Sequence, residues 1–300
     1  FLSEKDMTSL GSSINDLVLN EVAIMNNKTR NTLETRKVHL LFQSFYFNHI
    51  GQHQSALRTF FALNNLLENE LDQLPIPPLE YYSVLDGILD SLSNMGYHEE
   101  ISYFIRKLEF LNNPKYPDYF NLMVNKTIIL YSIKREAILQ KWEDAIQLIS
   151  TAHKLIISNI SLLSEKRHAD LIFYSSLAYF HKKNYQKASK YLNINVLNKQ
   201  TDFSQLHHRA SRLLNLVLCY ELKDFEYLEY EIRSYKRFFN ARDGVLPLEN
   251  LLFMVMSNGS IKSSNRNNHK VSSKFENLKN SAGQSRTEKD LLAYFDFMEW

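Results

Sequence analysis

One short unit recurs along this chain and limits what it can fold into. A polar or glycine turn is followed by an aromatic or histidine, a small residue three positions later and a bulky apolar one four beyond that. It reads Gly51-Gln-His53 with Ala56 and Phe60, Lys141-Trp142 with Ala145 and Ile149, and Asn184-Tyr185 with Ala188 and Leu192. Weaker copies stand at Gly96-Tyr97 with Glu100 and Ile101, and at Asp224-Phe225 with Leu228. The post-turn positions 53, 97, 142, 185 and 225 lie 44, 45, 43 and 40 residues apart. A helical bundle without repeats has no reason to keep such even spacing, whereas stacked copies of one supersecondary unit do.

The best-defined copy is 170–192. Ile172, Ser175, Ser176 and Tyr179 fall three or four apart and so share one face of a helix. Lys182–Asn184 makes a polar turn, and Tyr185, Ala188 and Leu192 form the facing stripe of a second helix. Large side chains set against small ones such as Ser176 let two helices interdigitate at native density. No Gly or Pro lies between Pro117 and Gly244, so nothing there interrupts long helices. Strands would need β-branched alternation and glycine-type hairpin turns, which are lacking. The class is all-α, and 19 Phe and 17 Tyr are ample for its core.

The pattern resembles the tetratricopeptide repeat (TPR) family over residues 37–240. The family's small residue midway along the first helix is matched by Ser44 and Ser176, and the aromatic after it by Phe47 and Tyr179. The turn, aromatic, alanine and bulky residue follow as above. The period exceeds the family's roughly 34 residues, Ile133 and Leu216 stand where the small residue belongs, and Glu100 and Leu228 replace the alanine. These departures imply longer helices than usual.

The resemblance implies a right-handed α-α superhelix, a TPR-like solenoid of about five hairpins, with a concave face lined by the first helices. It places Phe42, Phe45, Tyr131, Lys134, Phe173, Tyr174, His181 and Tyr220 near that face. In the functional reading, aromatic anchors hold a peptide or a partner's helix while Lys134 and His181 supply polar ends. In the plainer reading the aromatics fill space between helices, and at least half of the positions are expected to be core.

The expected organisation is a helical N-terminal cap over 1–33, a helical-repeat domain over 34–256, a polar linker over 257–290 and a capping helix over 291–300. The hairpins fall at about 34–69, 79–112, 118–158, 165–198 and 204–240, and an apolar helix over Leu246–Met256 closes the repeat domain. The Pro-rich stretch Leu74–Leu79 and Asn112–Pro117 end helices. The basic segment 262–279 lacks interleaved aromatics and reads as a solvated linker rather than a phosphate-binding strip.

A net charge of +2 gives no ground for a nucleic-acid or membrane-surface partner. No apolar run approaches the roughly 20 residues of a membrane span. The lone Cys219 rules out an internal disulfide, fits a reducing compartment such as the cytoplasm, and falls on the apolar stripe Leu213–Leu222 as a buried thiol. No phosphate-binding glycine loop and no Gly-x-Ser-x-Gly elbow occur. His49 and His53 flank the Gly51 turn without a third ligand, so neither metal nor cofactor is expected. His207-His208, beside Arg209 and Arg212, reads as a surface helix. Glu99-Glu100 and Glu143-Asp144 follow turns, where acids suit a helix N-terminus.

The expected function is a non-catalytic protein- or peptide-binding scaffold. The alternative is a ligand- or peptide-sensing regulatory domain whose output domain lies outside a chain that opens on Phe1. A groove plugged by the C-terminal segment would favour self-inhibition or a purely structural role.

Overall fold

The computed structural model describes residues 32–70, 77–157, 165–196, 205–260, 276–277 and 280–300. The expected N-terminal cap apart from Thr32 and Leu33, the Pro-rich stretch up to Ile76, and the basic segment 262–279 apart from 276 and 277 lie outside them. Among the described residues there are twelve helices and no strand. They are α1 (Leu33–His49), α2 (His53–Glu70), α3 (Pro78–Met95), α4 (His98–Leu111), α5 (Asp118–Ile138) and α6 (Trp142–Ile157). Then come α7 (Glu165–His181), α8 (Tyr185–Val196), α9 (Gln205–Glu221), α10 (Phe225–Asn240), α11 (Pro247–Ser260) and α12 (Arg286–Leu292). The five expected hairpins match α1–α2 through α9–α10 to within two residues at every end.

One turn closes all five hairpins. Gly51, Gly96, Gln140, Lys183 and Lys223 each take a left-handed backbone, with φ of 75, 79, 58, 56 and 61°. In each case the next residue's N–H donates to the carbonyl five positions back: Gln52 to Phe47, Tyr97 to Leu92, Lys141 to Glu136, Asn184 to Tyr179 and Asp224 to Cys219, at 2.8–3.0 Å. The left-handed residue itself donates three positions back. This is the Schellman arrangement, which satisfies two carbonyls that a helix end would otherwise leave open. The second helix starts two residues after the left-handed one at every turn. That corrects the register of the second copy: α4 begins at His98, not Tyr97, so Ile101 rather than exposed Glu100 takes the inward position.

The contacts divide the chain into two compact units, Phe1–Tyr131 and Ser132–Trp300, with the division inside α5 rather than at a linker. In the first unit α1 packs on α2, α2 on α3 and α3 on α4, and the first helices α1 and α3 also touch. Thr32 caps α1 by accepting the Thr35 N–H at 3.2 Å. Ala56 and Phe60 are fully buried, and the Phe60 ring lies so close to Gly87 of α3 that an added Cβ would meet it at 2.1 Å. Between helices, Lys37 pairs with Glu80 at 3.2 Å, Tyr82 shares a 2.8 Å hydrogen bond with Thr127, and Glu68 takes both Lys107 and the Tyr81 hydroxyl.

In the second unit α6 packs on α7, α7 on α8, α8 on α9, α9 on α10 and α10 on α11, with α7 and α9 also in contact. Ser176 donates its hydroxyl to the Ala188 carbonyl at 2.9 Å, so the two small residues do bring α7 and α8 together. From His168 to Phe180 every residue of α7 is buried, because neighbours cover it on all sides. Arg209 of α9 is buried and donates to Glu249 at 2.6 Å and to the Gly244 carbonyl at 2.9 Å, tying α9 to α11 and its preceding turn. Ser285 and Glu288 form a capping box at the start of α12.

In place of the capping helix expected over 291–300, α12 spans Arg286–Leu292 and begins inside the stretch expected as linker. α12 stops at Leu292, and residues 293–300 continue in turns without a helix. They are held by side chains instead.

Candidate functional site

Residues 293–300 lie against the first helices of the second unit. Tyr294 packs edge-on to Phe173 of α7 and His207 of α9, at ring separations of 5.7 and 5.6 Å. Phe295 sits against Phe180 at 5.4 Å and His181 at 5.8 Å, and is backed by Phe297 at 4.8 Å. Trp300 stands edge-on to Tyr220 at 5.4 Å and donates its indole N–H to Glu221 at 2.8 Å. Such edge-to-face contacts each add about 0.5–1.5 kcal/mol beyond the area buried. They hold a segment whose backbone makes few hydrogen bonds.

What the segment leaves open is a cavity of about 530 Å³ at the turn end of α5–α6 and α7–α8. Its walls come from the end of α5, the Gln140 and Lys183 turns, the starts of α6 and α8, the last turns of α7 and α9, and the C-terminal segment. Trp142 and His181 form one wall as a parallel stack at 3.9 Å and 9°. Burial lowers the His181 pKa below its ordinary value, which favours the neutral ring. Tyr185 sits between Phe180 and Glu221, and burial together with that carboxylate raises its phenol pKa. Tyr294, Phe295 and Trp300, with the carboxylates of Asp296 and Glu299, complete the lining.

Behind Tyr174, a lining residue, lies a buried polar group. Asp170 of α7 faces His207 Nδ1 at 3.1 Å and Lys134 Nζ at 3.9 Å, and Lys134 also stands 5.6 Å from the centre of the Tyr174 ring. Burial pushes the Asp170 carboxyl up, but Lys134 and His207 outweigh it and hold the pKa below the usual carboxylate value. His207 is therefore not on a surface helix; it is almost fully buried against Asp170. Its neighbour His208 is pushed down to about 4 by burial and by the surrounding arginines.

The eight residues named from the resemblance separate. Tyr174 and His181 line the cavity, Lys134 lies behind Tyr174, and Phe173 and Tyr220 are covered by Tyr294 and Trp300. Phe42, Phe45 and Tyr131 belong to the first unit. Tyr131 is core, Phe42 stacks on Tyr46 at 6.3 Å, and Phe45 is 48% exposed with its ring edge-on to Phe60. Reading the sequence did not single out Trp142 as a lining residue, nor Glu221, Asp296 or Glu299. The one available signal was the apolar run Leu291–Trp300.

A second cavity of about 540 Å³ lies between α6 and α8, where His153 and the Tyr191 hydroxyl are 2.6 Å apart, and none of the eight residues lines it. Cys219 is buried, and burial pushes its thiol up to about 12, far from a reactive thiolate. Among the described residues no group of three or more His, Cys, Asp or Glu is placed to hold a metal ion. No described helix is long and apolar enough to cross a membrane. No protein family, curated protein or solved structure matches the chain.

Proposed function

We propose that this chain is a non-catalytic, TPR-like scaffold, its hairpins stacked as a right-handed superhelix, that binds a peptide segment of a protein partner. The binding place is the cavity beside Trp142 and His181, the part of the expected face that the C-terminal segment leaves open where it covers Phe173 and Tyr220. The observation that carries this reading is the convergence of aromatic side chains with a few polar groups in the lining of one cavity, as in peptide and ligand sites generally. Support for the repeat comes from the recurring turn at 51, 96, 140, 183 and 223 and from the successive packing of α1 to α4 and of α6 to α11. The lone buried Cys219 fits work in a reducing compartment such as the cytoplasm.

A second reading, a peptide-sensing regulatory domain, has one observation in its favour. One wall of the cavity is a segment outside any helix, so an occupant would touch it directly.

The test is selection of a displayed random peptide library on the immobilised full chain, repeated with Trp142→Ala and His181→Ala chains of unchanged circular dichroism. Enriched peptides that bind the native chain and lose the substituted ones are expected. Failure to enrich any peptide, or enrichment indifferent to both substitutions, contradicts the proposal.

A further inference from the structure

The charges around the cavity are one-sided. Glu221, Asp296 and Glu299 bring three carboxylates, while Lys183 is the one lysine or arginine among the described lining residues. Asp296 and Glu299 are exposed, whereas Glu221 is not. It is half-buried, accepts the Trp300 indole N–H at 2.8 Å, and lies against the Tyr185 hydroxyl. Both neighbours are neutral, so they fix the direction of the carboxylate without cancelling its charge. Among the described residues no lysine or arginine pairs with it. A partly desolvated, uncompensated carboxylate is costly, and an incoming cation recovers that cost.

The rest of the lining says which cation. Trp142, Tyr174, Tyr294 and Trp300 line the same cavity, and the Trp300 indole N–H donates to the carboxylate itself. Aromatic rings beside an anion suit a planar, weakly hydrated cation that stacks and donates hydrogen bonds together, which describes a guanidinium better than a compact, strongly hydrated ammonium. We propose that this cavity binds the guanidinium of an arginine side chain presented by the partner peptide, with Glu221 as its counter-charge. The cation site stands on the cavity itself; only the identity of the carrier rests on the peptide-binding reading above.

Both tryptophans of the chain, Trp142 and Trp300, line the cavity, so intrinsic fluorescence reports on it directly. The experiment titrates the full chain with N-acetyl-arginine amide and, separately, with the neutral isostere N-acetyl-citrulline amide. A saturable emission change with the arginine compound, weaker by roughly tenfold or more with citrulline, is expected for a charge-assisted contact. Glu221→Gln keeps an acceptor for Trp300 and should remove most of the difference between the two probes. Should that variant's unliganded emission differ from native, Glu299→Gln, at an exposed position, is the second variant, and a smaller weakening is expected. Equal binding of both probes, no binding of either, or a preference indifferent to these substitutions overturns the inference. If the arginine compound binds as expected while library selection enriches no peptide, the scaffold reading falls and the cation site stands. If peptides enrich but the arginine compound does not bind, the reverse holds.

Discussion

At the scale of single residues, Gly87 shows how two opposing effects are weighed. A glycine inside α3 forgoes about 1 kcal/mol of helix propensity relative to alanine. Yet a Cβ there would meet three Phe60 ring atoms at 2.1–2.6 Å, and Phe60 is fully buried with Phe45 edge-on at its ring. Overpacking of this kind costs about 1–3 kcal/mol. Gly87→Ala should therefore lower stability by up to about 2 kcal/mol, read as a reduced urea midpoint; a raised midpoint would mean that the ring yields freely. Asp170 gives a pH-dependent case. Its pKa is lower folded than unfolded, so its contribution is fully present above the unfolded value of about 3.9 and is lost as pH falls through the lower folded value. The stability gap between the native chain and Asp170→Asn, measured by urea unfolding, should be constant near neutrality and narrow below about pH 4. Because Lys134 partners this carboxylate, substituting Lys134 disturbs a buried pair before it tests any groove.

At the scale of elements, the hairpins were legible because their turns carry local signals. Gly51 and Gly96 announce left-handed positions directly, and Lys182–Asn184 does so through polarity between two apolar stripes. Gln140, Lys183 and Lys223 adopt the same backbone without glycine, at a cost near 1–2 kcal/mol for an L-residue. Opposite substitutions should therefore act with opposite signs. Gly51→Ala meets no atom within 4 Å and should cost about 1 kcal/mol from backbone conformation alone. Lys183→Gly should be neutral or stabilising by up to about 1 kcal/mol, since relief at the turn is partly offset by a freer unfolded chain. Thermal melts of the two variants check both signs. The misread register at Tyr97 has a physical cause: an aromatic directly after Gly96 imitates the start of the second helix, which the turn geometry delays to His98.

At the scale of the molecule, what escaped the sequence depends on contacts between distant segments. Leu291–Trp300 is apolar enough to dock, but only its pairing with Phe173, Phe180 and Tyr220 decides that it docks as turns rather than as a helix. The burial of His207 likewise depends on Asp170, which lies on a different helix. The division inside α5 leaves no mark in composition, because α5 is one continuous helix across it. The central claim is that one turn, used five times, organises both units. Amide hydrogen exchange by NMR tests it at the five donors Gln52, Tyr97, Lys141, Asn184 and Asp224. Protection at all five, well above that of an unstructured loop, is expected. Free exchange at two or more of them, with the flanking helices still protected, would contradict it.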